Sequence, residues 1–356
     1  MAVLMCANQP VFHLTSHQII NASLMPVLDA KYIESWLKSR SFIQTNRVAE
    51  GTVLLADYID KRINRRRLSL SDCYWVKHDN DYVNNFDNIT PYKNDFLSGS
   101  NWDYKREVPA APDRVLGGSV PKEWANLYNQ TGFWKYMPEN QVYVEMLSLS
   151  LADKLGIPVC SAYTDVIKNS EQNSEGLIFK IAATVHSKKF MPDMSIDRAK
   201  IYICNMTNPF NMLMTSDTLL GEESLFPDKG HNPHEMVGIY KKIFDEKTAV
   251  DFVVRTLVFD LIICNYDRNN NKFNWGYFKD PVTGAVRPAP LYDFNVARTV
   301  PPRLITAKKI INGIIENDLY KETAILYLEK WQPIINEFGV PFWEETCDYV
   351  LNKLTG

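Results

Sequence analysis

The chain has 356 residues, of which 46% are hydrophobic and 23% charged, and its formal net charge at pH 7 is -3. This composition excludes an intrinsically disordered chain and supplies enough apolar material for one large two-part unit or two domains. It also excludes a general electrostatic attraction to nucleic acid, and no apolar run is long enough to predict a membrane span.

The six cysteines are widely separated and form no C-x-x-C pair, which argues against a zinc site and against a disulfide framework. The apolar stretch at the start of the sequence lacks the basic region of a signal peptide. We therefore expect reduced thiols, a cytoplasmic location and no contact with a membrane.

Residues 1–110 are predicted to form a small N-terminal module of short strands with one helix, over residues 30–40, where apolar side chains recur at helical spacing. A basic run at residues 61–67 has the spacing of a solvated helix face, so we expect no nucleic-acid partner. Residues 78–112 are rich in Asn, Asp, Ser, Gly and Pro, which is typical of long surface connections. This change in composition places a domain boundary near residue 110.

Residues 111–190 are predicted to form the nucleotide-binding part of a small lobe, and they begin with two strand-like stretches, 114–124 and 131–136, around a glycine-rich turn. Backbone amides without bulky side chains, together with a nearby cation, suit the oxygens of a phosphate group. The sequence matches neither the protein-kinase glycine loop nor a Walker A motif, so its position in the chain is what supports this interpretation. The candidate phosphate-binding residues here are Gly117, Gly118, Ser119 and Lys122.

A lysine and a glutamate follow in the order that phosphate binding by a kinase-like site requires. Lys135 lies in the second strand-like stretch, and Glu145 lies in a predicted helix over residues 141–155. A strand lysine that contacts the phosphates of ATP is held in place by a helix carboxylate. Glu139 and Lys180 are the competing residues, but Glu139 suits the first turn of the helix and Lys180 comes after it.

Residues 191–356 are predicted to form a mostly helical C-terminal lobe that contains the catalytic loop. Residues 249–264 are apolar nearly all round, which indicates a helix buried inside the lobe and leading directly into that loop. Residues 319–328 and 342–354 show helical periodicity as well.

The loop after the apolar helix carries an Asp-Arg pair, and a second Asp follows about two dozen positions later in an apolar setting that resembles a DFG motif. Asp267 is placed to accept a hydrogen bond from a substrate hydroxyl and aim it at a phosphoryl group, and Arg268 stands beside it. Asp293 is placed to chelate Mg²⁺, because a carboxylate is a hard oxygen ligand for a hard cation. This layout of acidic and amide side chains is the one that phosphoryl transfer from Mg-ATP needs.

The amide ligand of the metal lies in an unusual register. A protein kinase has this Asn five positions after the catalytic Asp, where the present chain has Lys272. Asn274 is preferred over Asn271, because Asn274 begins an Asn-aromatic-Gly element that could close the loop. That choice implies a loop two residues longer than usual, and both residues remain candidates.

The ordered motifs resemble those of the HipA-like serine/threonine kinases, a bacterial family named after a toxin that phosphorylates a translation component. The resemblance extends from about residue 30 to the end of the chain. The matching elements are residues 70–75, 118–124, 145–158, 265–268 and 290–293.

This resemblance implies an α+β, two-lobed protein-kinase-like fold, with a small mixed N-terminal lobe containing an antiparallel sheet and a mostly helical C-terminal lobe. It also implies a bacterial enzyme that uses ATP and Mg²⁺ to phosphorylate Ser or Thr of a protein substrate. Asp267 would be the catalytic residue, Asn274 and Asp293 the metal ligands, and Lys135 the contact to the ATP phosphates. The toxin's autophosphorylated Ser is replaced here by Val115, so regulation at that position is not expected, and Ser119 is the remaining candidate on this turn.

Two other functions are compatible with the same motifs. One is a phosphotransferase that acts on a small molecule or a peptide, and the other is a pseudokinase that binds nucleotide and acts as a regulator. The displaced Asn is the feature that favours the pseudokinase. The sequence does not identify a regulatory partner.

Overall fold

The structure is a computed structural model that describes residues 2–39, 72–79, 85–89, 122–127, 130–164, 198–204, 212–215, 217–220, 232–266, 268, 274–294, 297–298 and 304–356. Within these ranges the protein combines antiparallel sheets with helices that are concentrated in the second half of the chain. The predicted α+β class is therefore confirmed. None of the helices in these ranges has both the length and the apolar character that crossing a bilayer requires.

The N-terminal part contains a four-stranded antiparallel sheet with the order β3-β2-β1-β4. The predicted helix is present, and its first turn is a 3-10 helix capped by Asp29, whose side chain accepts a hydrogen bond from the N–H of Lys31. Trp36 of the helix packs edge-on against Tyr74 of the sheet, with ring centroids 5.3 Å apart. The elements are β1 (Ala2–Cys6), β2 (Gln9–His13), β3 (Gln18–Ile19), a 3-10 turn (Ala30–Tyr32), α1 (Ile33–Ser39) and β4 (Tyr74–His78).

The central sheet holds the strand that carries Lys135 and has the order β5-β6-β8-β7. Its members are β5 (Lys122–Leu127), β6 (Gln130–Pro138), β7 (Ser161–Thr164) and β8 (Arg198–Cys204), and helix α2 (Glu139–Lys154) directly follows β6. Pro138 ends the strand and stands before the helix, while Gly156 follows the helix with φ of +72°, a conformation that suits glycine. Strand β8 belongs to this sheet although it lies beyond residue 190, where we place a domain boundary; the three-part division stays a prediction.

A third sheet, with the order β11-β10-β9, links the N-terminal part to the C-terminal part. Its strands are β9 (Met212–Thr215), β10 (Gly276–Lys279) and β11 (Val286–Pro288). Lys279 donates a hydrogen bond of 2.5 Å to the carbonyl oxygen of Met25, and the Gln9 side chain donates one of 3.3 Å to the carbonyl oxygen of Val282. The N-terminal part is therefore joined by hydrogen bonds to strand β10 and to the turn that follows it.

The C-terminal helices surround one buried helix, α5. The helices are α3 (Asp217–Leu220), α4 (Pro233–Tyr240), α5 (Glu246–Ile262), α6 (Leu304–Ile315), α7 (Asp318–Phe338) and α8 (Pro341–Thr355). Asp245 caps α5 by accepting a hydrogen bond of 2.9 Å from the N–H of Thr248, and α4, α6, α7 and α8 all pack against it. The apolar pattern over residues 249–264 thus correctly predicts a buried helix, which the structure places at Glu246–Ile262.

Candidate functional site

Lys135, Glu145 and Asp293 form one cluster of charged side chains. The Lys135 Nζ donates to both carboxylate oxygens of Glu145, at 2.8 and 2.7 Å, and to Oδ1 of Asp293 at 2.8 Å. Strand β6, helix α2 and the segment after β11 each supply one member. Residues separated by 158 positions in the sequence therefore meet at a single ammonium group.

The cluster has a buried side and an exposed side. The side chains of Lys135 and Glu145 are 2% and 1% exposed, whereas that of Asp293 is 23% exposed. Asp293 is thus the member of the cluster that a ligand could reach from solvent.

The two carboxylates keep the buried lysine protonated. Burial alone would lower the pKa of Lys135, but the negative charges of Asp293 and Glu145 outweigh it and the pKa is raised. Burial raises the pKa of Glu145, and the nearby Lys135 ammonium and a hydrogen bond from the backbone N–H of Phe294 only partly oppose this effect. The cluster therefore presents a fixed positive charge next to a partly exposed carboxylate.

Asp293 has a left-handed backbone conformation, with φ of +63°. A non-glycine residue in this region is strained by roughly 1–2 kcal/mol, and Asp tolerates it better than most residues. Such a conformation persists where surrounding contacts determine it, and these residues are common at functional sites. The bond to Lys135 is one of the contacts that determine the conformation here.

The segment that carries Asp293 is joined to the chain that leaves helix α2. Val159 and Leu291 form a parallel β-bridge, in which the N–H of Leu291 donates to the carbonyl of Pro158 at 2.8 Å. The N–H of Cys160 donates to the carbonyl of Leu291 at 3.2 Å. The helix that carries Glu145 and the segment that carries Asp293 are thus linked through the main chain as well as through Lys135.

A fully buried arginine holds the loop before β10 against the segment before Asp293. The Arg268 guanidinium donates to Oδ2 of Asp260 at 2.9 Å, to the carbonyl of Asn274 at 2.6 Å and to the carbonyl of Tyr292 at 2.9 Å. Its charge also lies 4.9 Å from the centre of the Phe294 ring. This arginine thus joins helix α5 to the two segments that carry the candidate metal ligands.

Helix α5 also supports these segments through aromatic packing. Trp275, next to Asn274, meets Phe252 edge-on with ring centroids 5.8 Å apart. Phe294, next to Asp293, meets Phe259 in the same way at 5.7 Å. Each candidate metal ligand therefore has an aromatic neighbour fixed on the same buried helix.

The other predicted site residues are distributed as follows. Asn274 lies at the start of the third sheet and is only 4% exposed. Lys122 is the cross-strand partner of Lys135 in the β5–β6 pair. Glu139 is the first residue of helix α2, and Glu145, further along the same helix, is the residue that binds Lys135. The residues Asp267, Gly117, Gly118, Ser119, Asn271 and Lys180 lie outside the described part of the chain.

Sequence reasoning missed Asp260 and Asn265 as members of the site's framework. Asp260 is fully buried in helix α5 and binds Arg268, and the side-chain amide of Asn265 donates to the other Asp260 oxygen at 3.2 Å. An acidic residue in the middle of an apolar helix is a usable signal, because a buried charge needs a partner.

The donor set of the cluster fits a magnesium nucleotide. Asp293 offers a carboxylate at the edge of the cluster, and the side chain of Asn274 offers an amide oxygen, both of them ligand types that Mg²⁺ prefers. The Lys135 ammonium lies 2.8 Å from Oδ1 of Asp293 and adds a positive charge beside that carboxylate, which suits an anionic ligand. These residues together could hold a divalent cation and a polyphosphate.

No protein-family model matches the chain, and no curated protein matches its sequence. Among solved structures, the fold is similar to that of the Helicobacter pylori proinflammatory kinase CtkA, at 14% identity and a TM-score of 0.40, over 65% of this chain and 90% of that one. It is also similar to a chain of the Shewanella oneidensis MR-1 toxin–antitoxin complex of HipA, HipB and operator DNA. That similarity has 11% identity and a TM-score of 0.48, over 99% of this chain and 96% of that one.

Proposed function

We propose that this protein is an ATP- and Mg²⁺-dependent serine/threonine protein kinase of the HipA-like type. The observation that carries the proposal is the bonding of Lys135 to both Glu145 and Asp293 in a cluster that is buried except at Asp293. A lysine fixed by a helix carboxylate beside a metal-binding Asp is the arrangement that phosphoryl transfer uses to bind and orient ATP.

Each residue has a distinct role in this proposal. Lys135, held by Glu145, binds oxygens of the α- and β-phosphates, and Asp293 and Asn274 hold Mg²⁺. Asp267 accepts the proton of the substrate hydroxyl and directs its oxygen toward the γ-phosphorus. When bound, Mg²⁺ neutralises the negative charge of the phosphates. The backbone amides at Gly117, Gly118 and Ser119, with the Lys122 ammonium, cover the phosphates.

The proposal includes a two-lobed arrangement with the ATP site between the lobes. The central sheet with helix α2 forms the nucleotide-binding part of the small lobe, and the helices around α5 form the large lobe. The acceptor is a Ser or Thr hydroxyl of a protein. The chemistry of the cluster concerns ATP and does not select the acceptor protein.

The test is transfer of radiolabelled phosphate from ATP to a generic basic protein. The wild type is expected to label the protein in the presence of Mg²⁺, and Asp267→Ala and Asp293→Ala are expected to lose labelling. Asp29→Ala is the control, because among the described residues its exposed carboxylate contacts Lys31 and caps a short turn outside the Lys135 cluster. Equal labelling by all four proteins would refute the proposal, and ATP turnover without labelled protein would indicate a small-molecule acceptor.

A nucleotide-binding pseudokinase is the second candidate. The observation that favours it is the burial of Asn274, which is 4% exposed and whose carbonyl is bound by Arg268. A residue with that environment has a structural role whether or not it binds metal. Calorimetry that detects Mg-ATP binding, together with no phosphate transfer to any acceptor, would select this function.

A further inference from the structure

Arg268 is fully buried, and its guanidinium contacts three separate segments of the chain, at Asp260, Asn274 and Tyr292. A guanidinium is a rigid plane whose N–H donors point in fixed directions, unlike the ammonium of a lysine. Nη1 donates to the carbonyl of Asn274 and Nη2 to the carbonyl of Tyr292, at 2.6 and 2.9 Å. The rigid group therefore fixes the distance between these two carbonyls.

The two carbonyls belong to the segments that hold the candidate metal ligands. Asn274 is itself one candidate, and Tyr292 directly precedes Asp293, the other. Arg268 sets the distance between the backbone at Asn274 and the backbone just before Asp293. The distance between the side chains of Asn274 and Asp293 therefore depends on the guanidinium. Mg²⁺ tolerates little deviation in ligand geometry, so it is sensitive to such a separation.

The guanidinium is itself held on its remaining sides. Asp260 accepts from Nε at 2.9 Å, and Asn265 orients Asp260 through a hydrogen bond of 3.2 Å. The indole N–H of Trp275 donates to the Arg268 carbonyl at 2.9 Å, and the Phe294 ring lies 4.9 Å from the guanidinium carbon. Arg268 is therefore a preorganised spacer and not a mobile surface side chain.

We propose that Arg268 is a positioning residue that sets the spacing of Asn274 and Asp293 for a divalent cation. The inference rests on the proposed function, since it assigns a metal to these two side chains. It predicts that loss of the guanidinium fork weakens the Mg²⁺-dependent part of nucleotide binding and leaves metal-free nucleotide binding unchanged.

Two variants separate the spacing role from the stability of the buried ion pair. Arg268→Lys keeps a positive charge beside Asp260 but lacks the fork that reaches both carbonyls. Asp260→Asn removes the ion pair but leaves both carbonyl contacts of Arg268 in place. Both substitutions alter the same buried network, so a purely structural effect should change the Mg²⁺ requirement of each variant in proportion to its loss of thermal stability.

The experiment titrates Mg²⁺ into each protein with a fluorescent ATP analogue and also records thermal unfolding. Groups that orient metal ligands typically change metal affinity by roughly 10- to 100-fold when they are substituted. We expect Arg268→Lys to raise the half-saturating Mg²⁺ concentration at least about tenfold. Asp260→Asn is expected to raise the half-saturating Mg²⁺ concentration by less than about threefold, which is below the roughly 10- to 100-fold range. Analogue binding without Mg²⁺ is expected to match the wild type in both.

The outcomes distinguish this inference from the proposed function. A wild type that shows no Mg²⁺-dependent analogue binding refutes the proposed function. Equal shifts in Arg268→Lys and Asp260→Asn, in proportion to their loss of thermal stability, overturn the positioning role. If Arg268→Lys does not fold, the double variant Asp260→Asn with Arg268→Gln removes both buried charges together. We expect the double variant to show the rise in half-saturating Mg²⁺ concentration that is predicted for Arg268→Lys. A half-saturating concentration equal to that of the wild type would overturn the inference.

Discussion

Lys135 binds Asp293 across 158 positions of sequence, and Asp293 is the only partner of that lysine in the described cluster whose side chain also reaches solvent. Glu145 and Lys135 are almost completely buried, so the cluster combines a structural ion pair with an accessible carboxylate. This division suggests that stability and activity can be separated by substitution.

Replacing Lys135 with Met should destabilise the protein by about 3 to 5 kcal/mol, because two carboxylates are then left together without their cation. Urea unfolding monitored by tryptophan fluorescence measures this change. The double variant Lys135→Met with Glu145→Gln should recover much of the lost stability but none of the phosphate transfer. A single Lys135→Met variant as stable as the wild type would contradict the assigned role of the ion pair.

Asp293→Asn should fold with nearly wild-type stability but lose phosphate transfer by at least about 100-fold, as removal of a charge-stabilising group at a reacting centre typically does. Asn tolerates the φ of +63° at this position and still accepts a hydrogen bond from Lys135. Steady-state transfer assays and thermal unfolding with and without Mg-ATP measure the two effects. Retained stabilisation by Mg-ATP, at a level equal to that of the wild type, would argue against Asp293 as a metal ligand.

The stability of the protein should rise relative to a Lys279→Met variant between pH 8 and pH 10.5. Burial lowers the pKa of Lys279 from 10.5 to about 8, and a nearby Cys6 opposes this shift. Below pH 8 the folded state holds a buried charge that the unfolded state exposes to water. As the pH rises toward 10.5, the folded state has already lost this proton while the unfolded state still binds it, so folding becomes more favourable.

The relative gain is at most about 3 kcal/mol, from the size of the pKa shift. Unfolding by urea at pH 7, 8, 9 and 10 measures the difference between the wild type and Lys279→Met. Comparing the two proteins cancels the contribution of groups that titrate independently of Lys279. Parallel pH profiles would show that Lys279 is charged in the folded state throughout this range.

Gly284→Ala should destabilise the protein more than Gly156→Ala does. Gly284 lies where the N-terminal part meets the turn of the third sheet, whereas Gly156 lies in the turn after α2. Both glycines have left-handed backbones, with φ of +75° and +72°, so both substitutions carry a backbone cost of about 1 kcal/mol. A Cβ at Gly284 would lie 2.3 Å from the carbonyl oxygen of Ser23, whereas a Cβ at Gly156 would have no neighbour within 4 Å. Thermal unfolding should therefore show a clearly larger loss for Gly284→Ala, and equal losses would contradict the close approach.

Periodicity and chain order were sufficient to predict much of the framework. The apolar residues of α5 identified a buried helix, and Lys135 and Glu145 were assigned to a strand and a helix in the order that the structure has. These predictions succeeded because a helix or strand that is buried on one face, or a helix that is buried on all faces, shows a matching pattern of apolar residues in the sequence. Glu145 was preferred over Glu139 because Glu139 suits the first turn of the helix, and Glu145 is the residue that binds Lys135.

Contacts that depend on loop closure could not be predicted. Arg268 binds Asp260 only because the chain turns back after α5, and no local pattern fixes that turn. The bond from Lys279 to Met25 spans 254 positions and joins two parts that we placed in separate domains. Main-chain pairing such as that of Val159 with Leu291 leaves no signature in the identity of the side chains.

The bridge between Val159 and Leu291 has a consequence for control of this protein. Rotation of helix α2 away from the site would break two main-chain hydrogen bonds. It would also separate the Glu145 carboxylate from the buried Lys135 ammonium. The helix and the acidic segment are therefore held in one relative orientation by main-chain bonds and by Lys135. An inhibitor or regulator of this protein is expected to obstruct entry at the exposed edge beside Asp293, leaving the orientation of α2 as it is.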